Sequence, residues 1–461
     1  MTVNRRPDIL TLLARMVGLA ALGTAGAVQA SGFALIEQNV SGLGNAYAGA
    51  AAVAEDASTI FFNPAGMTRL PGMQVVAAAH AIRPSVKFSN TGSTLAPLQT
   101  RLGGNGGDAG GWAFVPNAYF SWQVSPMWHV GVGLNAPFGL KTEYDVSWVG
   151  RFHAIESELK TVNVNPSVAF KVNEAISLGA GISYQRAEAT LTNAVNYTGA
   201  FIRAVCPTGD PACIGAALPV IGGPGVEGIA RVEGHDDAWG FNLGALVTLS
   251  PQTRIGVDYR SEIDYRVSGS VVFGNRPAVL AGGLPNGPVS SDLKVPGSAS
   301  WSIFHQINSR WDVLGDVSWT DWSTVKALNI VRANGTLLST TPLNWRDTWR
   351  FSVGANYRQN DTWMWRFGVA YDQSPVQDPD RTPRVPDEDR TWLAIGVQHK
   401  LSKAAAIDVG YAYLFVRNAS SRLCDAAGAA VYPAGCAGKN TLIGNYDNNI
   451  NILSAQFRYS F

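Results

Sequence analysis

Strict alternation of side-chain character, repeated along the whole chain, is the feature that most limits what this sequence can fold into. In one segment Trp363, Trp365, Phe367, Val369 and Tyr371 share one face, with polar or small residues between them. A period of two places successive side chains on opposite faces of a β-strand. Because segments of this kind recur, the sequence predicts an all-β protein.

The composition agrees with this class. Charged residues make up 15% of the chain, and there are 49 glycines. Such a chain is poor in helix formers and rich in strand and turn formers. After residue 30 no apolar stretch reaches the roughly 20 residues that a membrane-spanning helix needs. The net charge of +1 gives no reason to expect a nucleic acid as partner.

The first 30 residues have the pattern of a secretory signal peptide. Two arginines at positions 5 and 6 precede an apolar run over 16–28, and Val28-Gln29-Ala30 provides a small-residue cleavage site. The apolar run is shorter than a spanning helix, which disfavours an uncleaved anchor. We therefore expect residues 1–30 to be removed on export and the mature chain to begin at Ser31.

The connections between strands decide between a soluble sandwich and a membrane barrel, because both show alternation. Six tight turns, near residues 125, 173, 251, 308, 360 and 402, alternate with longer connections rich in Gly, Pro, Asn and Asp. Short inner turns and long outer loops are typical of outer-membrane barrels. The sequence thus predicts fourteen antiparallel transmembrane strands, at about 73–88, 112–124, 128–138, 159–172, 176–191, 234–249, 254–273, 297–307, 311–322, 347–358, 362–374, 389–400, 405–417 and 447–461.

The end of the chain fits a barrel of the bacterial outer membrane. The alternating aromatics Phe457, Tyr459 and Phe461 resemble the sorting signal that the barrel-assembly machinery reads. A closed sheet is also what lipid requires, because it leaves no backbone edge unpaired. We expect a multi-pass outer-membrane protein in contact with membrane lipids and lipopolysaccharide.

Residues 31–72 do not alternate and differ from the rest. They are rich in Gly and Ala, yet they include Leu35, Leu43, Tyr47, Ile60 and Phe61, which are too many apolar residues for a solvated tail. A plug that fills the barrel lumen would bury them. The predicted organisation is therefore a signal peptide (1–30), an N-terminal hatch (31–72) and a transmembrane β-barrel (73–461).

Several short motifs, in this order, resemble the FadL/TodX family of outer-membrane transporters of hydrophobic compounds. They are Ser41-Gly42-Leu43-Gly44-Asn45-Ala46, Glu55-Asp56, Asn63-Pro64-Ala65, Pro137-Phe138-Gly139-Leu140, Trp148-Val149-Gly150-Arg151, Val257-Asp258-Tyr259-Arg260-Ser261-Glu262, Trp319-Thr320-Asp321-Trp322-Ser323, Asp372-Gln373-Ser374-Pro375-Val376 and Pro386-Asp387-Glu388-Asp389-Arg390. Each motif alone is weak, but their joint order spans the mature chain.

The resemblance implies a monomeric, hatch-plugged barrel that takes up hydrophobic small molecules. Ligand would be captured at the outer loops, pass to an apolar pocket in the lumen and leave passively after the hatch rearranges. Long-chain fatty acids rank first as ligand and aromatic hydrocarbons second. A general diffusion porin and a surface adhesion protein remain as alternatives.

Three groups of residues are candidates for function. The resemblance favours a hatch role for Asn63-Pro64-Ala65, which would otherwise be an ordinary turn. A carboxylate ligand calls for a cation, and Arg346 and Arg350 stand beside Trp345 at the start of a strand. Lumen ion pairs with Asp347 or Asp316 are the alternative role for these arginines.

A kink in the third strand is the third candidate. Pro137 removes a donor from the hydrogen-bond ladder and Gly139 weakens the strand, although an ordinary strand end explains both residues equally well.

The four cysteines form two close pairs, Cys206 with Cys213 and Cys424 with Cys436. Three pairings are possible, and two local disulfides are preferred because each pair shares one loop of an exported protein. A zinc site is weaker, since neither spacing is the close type and no histidine lies nearby. We expect no metal and no cofactor.

No catalytic group stands out. The six histidines are scattered, and the sequence has no nucleophile elbow or phosphate-binding loop. An outer-membrane phospholipase would need a Ser and a His paired on one strand face. We therefore expect a protein that is not an enzyme.

Overall fold

The computed structural model describes residues 31–221, 226–425 and 436–461, so the predicted signal peptide lies outside the described residues. The described chain is mostly antiparallel β-sheet. Its strands are β1 (Met73–Asn90), β2 (Ala113–Gln123), β3 (Trp128–Asn135), β4 (Gly139–Glu143), β5 (Glu156–Lys171), β6 (Ile176–Asn196), β7 (Glu227–Ser250), β8 (Thr253–Arg260), β9 (Ile263–Gly274), β10 (Gly287–Val295), β11 (Ser298–Gln306), β12 (Trp311–Thr320), β13 (Ala327–Arg332), β14 (Leu337–Pro342), β15 (Thr348–Arg358), β16 (Trp363–Asp372), β17 (Arg390–Lys400), β18 (Ala405–Val416), β19 (Ala419–Leu423) and β20 (Leu442–Ser460).

These strands close into a barrel, because β1 pairs with β2 on one edge and with β20 on the other. Four barrel strands consist of two consecutive segments each, namely β3 with β4, β8 with β9, β10 with β11 and β18 with β19. The strands β13 and β14 form a separate hairpin beside the wall. The predicted fourteen-stranded antiparallel barrel is therefore confirmed.

Two of the interruptions mark the outer boundary of the hydrocarbon layer. Between β8 and β9 the inward-facing set changes from even to odd residues, as buried Arg260 and Ile263 show. Below this break the outward residues are apolar, like Tyr259, whereas above it they are charged, like Asp264. The same change separates Trp301 on β11 from Lys294 on β10. An outward face that changes from apolar to charged has left the lipid.

The strands extend further into the outer loops than the sequence predicts. Strand β10 begins at Gly287, inside the predicted connection 274–296, and the β13–β14 hairpin lies in the predicted connection after residue 322. Beyond the hydrocarbon the outward positions are free to be polar. Strand β10 therefore has the reverse of the membrane pattern, with Val289 and Val295 inward and Lys294 outward. The predicted tight turns all lie between the strands at the opposite end of the barrel.

Residues 31–72 fold inside the barrel as the hatch. They form α1 (Val40–Leu43), α2 (Ala50–Val53), α3 (Thr59–Phe62) and a 3-10 helix (Pro64–Arg69). Two further helices, α4 (Thr198–Val205) and α5 (Pro211–Ile221), lie in the loop between β6 and β7, and short 3-10 helices span Ala278–Leu280, Trp322–Thr324 and Asp378–Asp380. Among the described helices, none is long and apolar enough to cross a membrane.

Both disulfides lie in outer loops and join Cys206 to Cys213 and Cys424 to Cys436. The first links the end of α4 to α5, and the second follows β19. Each therefore closes a short local loop rather than connecting distant parts of the barrel.

Candidate functional site

Asn63 connects the hatch to the barrel wall. Its side chain is fully buried, and its Nδ2 donates to the carbonyl oxygens of Ala51 at 2.8 Å and of Ala245 on β7 at 2.9 Å. Its Oδ1 accepts from the backbone N–H of Ala65 at 3.1 Å, and Pro64 begins the 3-10 helix that follows. An ordinary turn does not require the hydrogen bond to the wall, so this motif has a structural role at the contact of hatch and barrel.

Pairs of glycines in the wall make room for the hatch backbone. Gly179 and Gly244 are register partners, and a Cβ on them would lie 2.3 Å from Ala65 N and 2.1 Å from Asn63 Oδ1. The same close contact occurs at Gly368, where an added Cβ would lie 2.0 Å from the carbonyl carbon of Asn45. No Cβ fits at such distances, so the hatch docks where the wall has no side chains.

A charge network ties the hatch to strands of the inner half. Glu55 pairs with Arg366 at 2.8 Å and with Arg458 at 3.7 Å, and Arg366 also pairs with Asp408 at 3.2 Å. Burial alone would raise the pKa of Glu55, but the charge and hydrogen bond of Arg366, assisted by Arg458 and Gln398, lower it to about 2. Glu55 is therefore ionised, and every charge of this buried group has a partner.

Wall arginines also hold backbone carbonyls of the hatch. Arg254 donates to the carbonyl of Ala52 at 3.1 Å, Arg260 to that of Phe61 at 2.8 Å, and Arg350 to that of Ala46 at 2.7 Å. These carbonyls lie in or beside the short hatch helices, whose own turns leave them without partners. The arginines therefore replace the internal hydrogen bonds that a longer helix would have.

A cavity of about 570 Å³, called here the outer cavity, lies in the outer half of the lumen. Its lining is mostly apolar and comes from β5, β6, β7, β9, β10 and the β13–β14 hairpin, with Leu159, Leu191, Val267, Leu293 and Ile330 among it. Ligand-binding pockets for small molecules have this size and character. The arrangement suits an apolar chain with one polar group.

Arg384 supplies a cation to the outer cavity. Its Nη1 donates to Ser157 Oγ at 2.9 Å and to the Glu156 carbonyl at 3.3 Å, and among the described residues no carboxylate lies within ion-pair distance of it. Burial lowers the pKa of Arg384 to about 10, and burial followed by the charge of Arg384 lowers the pKa of neighbouring Lys439 to about 8. A positive site of this kind, without its own anion, favours an anionic ligand.

An aromatic cluster closes the floor of the outer cavity. The Phe33 ring centroid lies 4.7 Å from that of Trp322, 5.4 Å from that of Trp345 and 5.9 Å from that of Phe138. Below it is a smaller inner cavity of about 150 Å³, whose lining includes Asp258, Asp316 and Asp372 together with Arg260 and Arg350. The cluster therefore separates the two cavities.

The third barrel strand is interrupted where the sequence predicts a kink. Strand β3 ends at Asn135 and β4 begins at Gly139, and the hatch end takes over the hydrogen bonds. The N–H of Leu35 donates to the Pro137 carbonyl at 2.8 Å, and the N–H of Gly139 donates to the Phe33 carbonyl at 2.8 Å. The N-terminal residues of the hatch thus close a break in the wall.

The structure separates the three residues predicted to bind ligand. Trp345 lines the outer cavity and Arg350 the inner one. Arg346 lines neither: its side chain is 53% exposed, and it lies 3.7 Å from Asp389 and 3.2 Å from the Ser374 carbonyl. The predicted ligand contact of Arg346 therefore has no geometric support. Arg346 precedes β15, and the alternation that directs Thr348 and Arg350 inward does not extend to it, since Trp345 is buried there instead. Its observed partner is Asp389, not the predicted Asp347 or Asp316.

Sequence reasoning missed Arg384 and Lys439. Arg384 lies between Pro383 and Pro386, two residues before the Pro386-Asp387-Glu388-Asp389-Arg390 motif begins, so its position was a usable signal. Lys439 had no such signal, because only the folded loops bring it near Arg384. Among the described residues, no group of three or more His, Cys, Asp or Glu side chains could hold a metal ion.

A closed barrel, an inner plug and an apolar lumen cavity define a class of outer-membrane protein that transports hydrophobic compounds. Comparisons with known proteins agree. The family model described as outer membrane protein transport protein (OMPP1/FadL/TodX) matches residues 21–461. The chain therefore belongs to the FadL/TodX family, and its location is the outer membrane.

Characterised relatives span nearly the same length. The chain is 29% identical over 429 residues to a long-chain fatty acid transport protein of Escherichia coli O6:H1. The match covers 91% of this chain and 94% of the relative. It is 30% identical over 418 residues to outer membrane protein P1 of Haemophilus influenzae. That match covers 87% of this chain and 89% of the relative.

Solved structures share the fold. A FadL homologue of Pseudomonas aeruginosa superposes with a TM-score of 0.83 at 24% identity, covering 93% of this chain and all of the other. The toluene transporter TodX of Pseudomonas putida superposes with a TM-score of 0.62 at 16% identity. The superposition covers 95% of this chain and all of the other.

Proposed function

We propose that this barrel takes up single-chain amphiphiles with a carboxylate head, in particular long-chain fatty acids. The observation that carries the proposal is Arg384, a cation without a carboxylate partner at an apolar cavity of about 570 Å³. Each buried methylene contributes about 0.8 kcal/mol, so a long acyl chain supplies the affinity and the head supplies the orientation. A relative with 29% identity carries the name of a fatty acid transporter, which supports the same choice.

Passage through the barrel follows from the contacts of Phe33. An acyl chain that fills the outer cavity presses on Phe33, whose carbonyl accepts the hydrogen bond from Gly139. Displacing Phe33 removes this bond and opens the break between β3 and β4. Ligand release is passive and coupled to the hatch, and it needs no catalytic step.

Binding of oleate and of toluene to ligand-stripped protein in nanodiscs tests the proposal. Removing a charge-assisted hydrogen bond costs about 1.5–3 kcal/mol, so we expect Arg384→Met to weaken oleate binding about 10-fold to 100-fold. Toluene has no charge, so its binding should not change. Arg346→Met is the matched control, because Arg346 lies outside both cavities.

Two results would reject the proposal. One is oleate binding that is equally tight in wild type and Arg384→Met. The other is binding of toluene without binding of oleate, which would identify an aromatic-hydrocarbon channel.

A further inference from the structure

The β13–β14 hairpin (residues 327–342), called here the flap, is only weakly attached to the barrel wall. Its strands pair with each other, and β13 pairs with β10 only through Arg332 with Val289 and Val331 with Ser290. Every other edge of β10 and β11 is covered: β9 pairs with all of β10, and β12 with all of β11. The flap is therefore held by two residue pairs, together with hydrogen bonds from Ala333 N–H to the Pro288 carbonyl and from Arg332 to the Pro285 carbonyl. By contrast, β1 and β2 share ten residue pairs.

The barrel wall has a gap below these two pairs. On β10 the chain from Ser291 to Pro296 has no ladder partner on the flap side, and the hydrogen bond from Asp321 N–H to the Gly297 carbonyl marks the lower end. Among the described residues, no backbone hydrogen bond joins 291–296 to 322–330. The Ser291 hydroxyl on this edge is buried without a hydrogen-bond partner among the described residues.

The gap reaches the outer cavity. Consecutive residues from both of its sides line that cavity, Val289–Lys294 on one side and Thr324–Val331 on the other. Several of them, including Asp292, Lys294, Lys326 and Asn329, are also exposed at the protein surface. Side chains close the gap in this structure, because Leu293 and Val295 pack in one apolar cluster with Val325 and Leu343. A path between the surface and the cavity therefore opens only when the flap moves.

The gap lies at the level of the membrane where the head group of an amphiphile in the outer leaflet would lie. The gap lies directly above the point where the outward residues change from Trp301 to Lys294, which is the edge of the hydrocarbon layer. Unpaired strand-edge groups are tolerated there, because water and polar groups can satisfy them. Lys326 on the flap side has no carboxylate within ion-pair distance among the described residues.

From these observations we propose that the gap between β10 and the flap is a lateral portal, through which carboxylate amphiphiles pass between the outer-leaflet surface and the outer cavity. The inference rests on the proposed function. The head contacts Lys326 at the portal and then Arg384 inside, while the chain slides along Leu293, Ala327 and Leu328 into the cavity. The flap is the movable edge of this portal.

A disulfide that locks the flap to the wall tests the portal. Cysteines at the register partners Ser290 and Val331 (Ser290→Cys with Val331→Cys) would fasten β13 to β10. The matched control is Asn329→Cys with Thr340→Cys, which joins the two flap strands and leaves the flap free of the wall. The readouts are the association rate, the dissociation rate and the Kd of oleate, with oxidised protein in nanodiscs.

A portal affects both directions of passage equally. We expect the wall lock to slow association and dissociation by the same factor, at least about tenfold, with Kd changed by less than about twofold, and the control to change none of the three. Unchanged rates in the locked protein would overturn the portal, as would a changed Kd with an unchanged association rate. Failure of the proposed function is distinguishable, because it appears without any lock, either as no oleate binding in wild type or as unchanged oleate binding in Arg384→Met.

Discussion

The Glu55 network in the inner half of the lumen and the cations Arg384 and Lys439 in the outer half differ in their partners. In the inner half Glu55, Arg366 and Asp408 satisfy one another, and the hatch is held by them. In the outer half Arg384 and Lys439 have no carboxylate within ion-pair distance among the described residues. The comparison indicates that buried charges with ion-pair partners hold the hatch in place, whereas a cation without such a partner at a cavity favours binding of an anionic ligand.

The largest effect should come from breaking the satisfied network. Arg366→Met leaves Glu55 and Asp408 buried without their main cation, so we expect a loss of about 3–5 kcal/mol in the free energy of unfolding. The measurement is denaturant unfolding of the barrel in detergent. Arg186→Met, which removes exposed pairs with Glu188 and Asp237, is the control and should cost less than about 1 kcal/mol.

The pH dependence of that loss follows from Glu55. Its pKa is lowered by the folded structure to about 2, so its contribution is complete above pH about 5 and disappears as the pH falls toward 2. The stability difference between wild type and Arg366→Met should narrow over this range. A difference that stays constant down to pH 2 would show that Glu55 is not part of the network.

The next largest effect on stability is expected from the wall glycines that contact the hatch backbone. A Cβ at Gly179 would lie 2.3 Å from the backbone N of Ala65, so Gly179→Ala should displace the hatch at a cost of about 1–3 kcal/mol. We expect an ion conductance in planar bilayers that wild type lacks. Gly111→Ala, where a Cβ meets nothing within 4 Å, is the matched control. Equal conductance in wild type and Gly179→Ala would favour the diffusion porin.

A smaller effect should appear in the outer half as a pH dependence of binding. Lys439 has a pKa of about 8 in the empty protein, and a bound anion raises it, so affinity is full below pH 8 and falls as the pH rises above it. We expect a loss of about tenfold by pH 10 for an alkyl sulfonate, whose own charge does not titrate. In Lys439→Met the affinity should not depend on pH up to about pH 9, which is below the pKa of about 10 of Arg384, and a flat wild-type profile would contradict the assignment.

The smallest effect is expected for Arg346→Met, less than about twofold in oleate affinity. Arg346 is half exposed and lies near Asp389, outside both cavities. Isothermal titration checks this value. A loss as large as that of Arg384→Met would reverse the assignment of the two arginines.

The sequence predicts the wall better than the site. Alternation gives all fourteen barrel strands and the tight turns, because lipid on one face and lumen on the other impose a period of two. It does not give β10 or the flap, which lie beyond the hydrocarbon layer, where the outward face is polar and the inward face borders the outer cavity. Arg384 and Lys439 meet only in the folded loops, and their lack of partners is a property of three-dimensional packing.

The pairs of wall glycines have a consequence for the order of assembly. Asn45 rests against Gly368 and Asn63 against Gly244, so the first residues of the mature chain depend on strands made hundreds of residues later. Contacts at such separation form only after the chain between them is organised. We therefore expect the hatch, although it precedes the barrel in the chain, to dock after the strands that carry these glycines, so that assembly passes through a barrel with an open lumen.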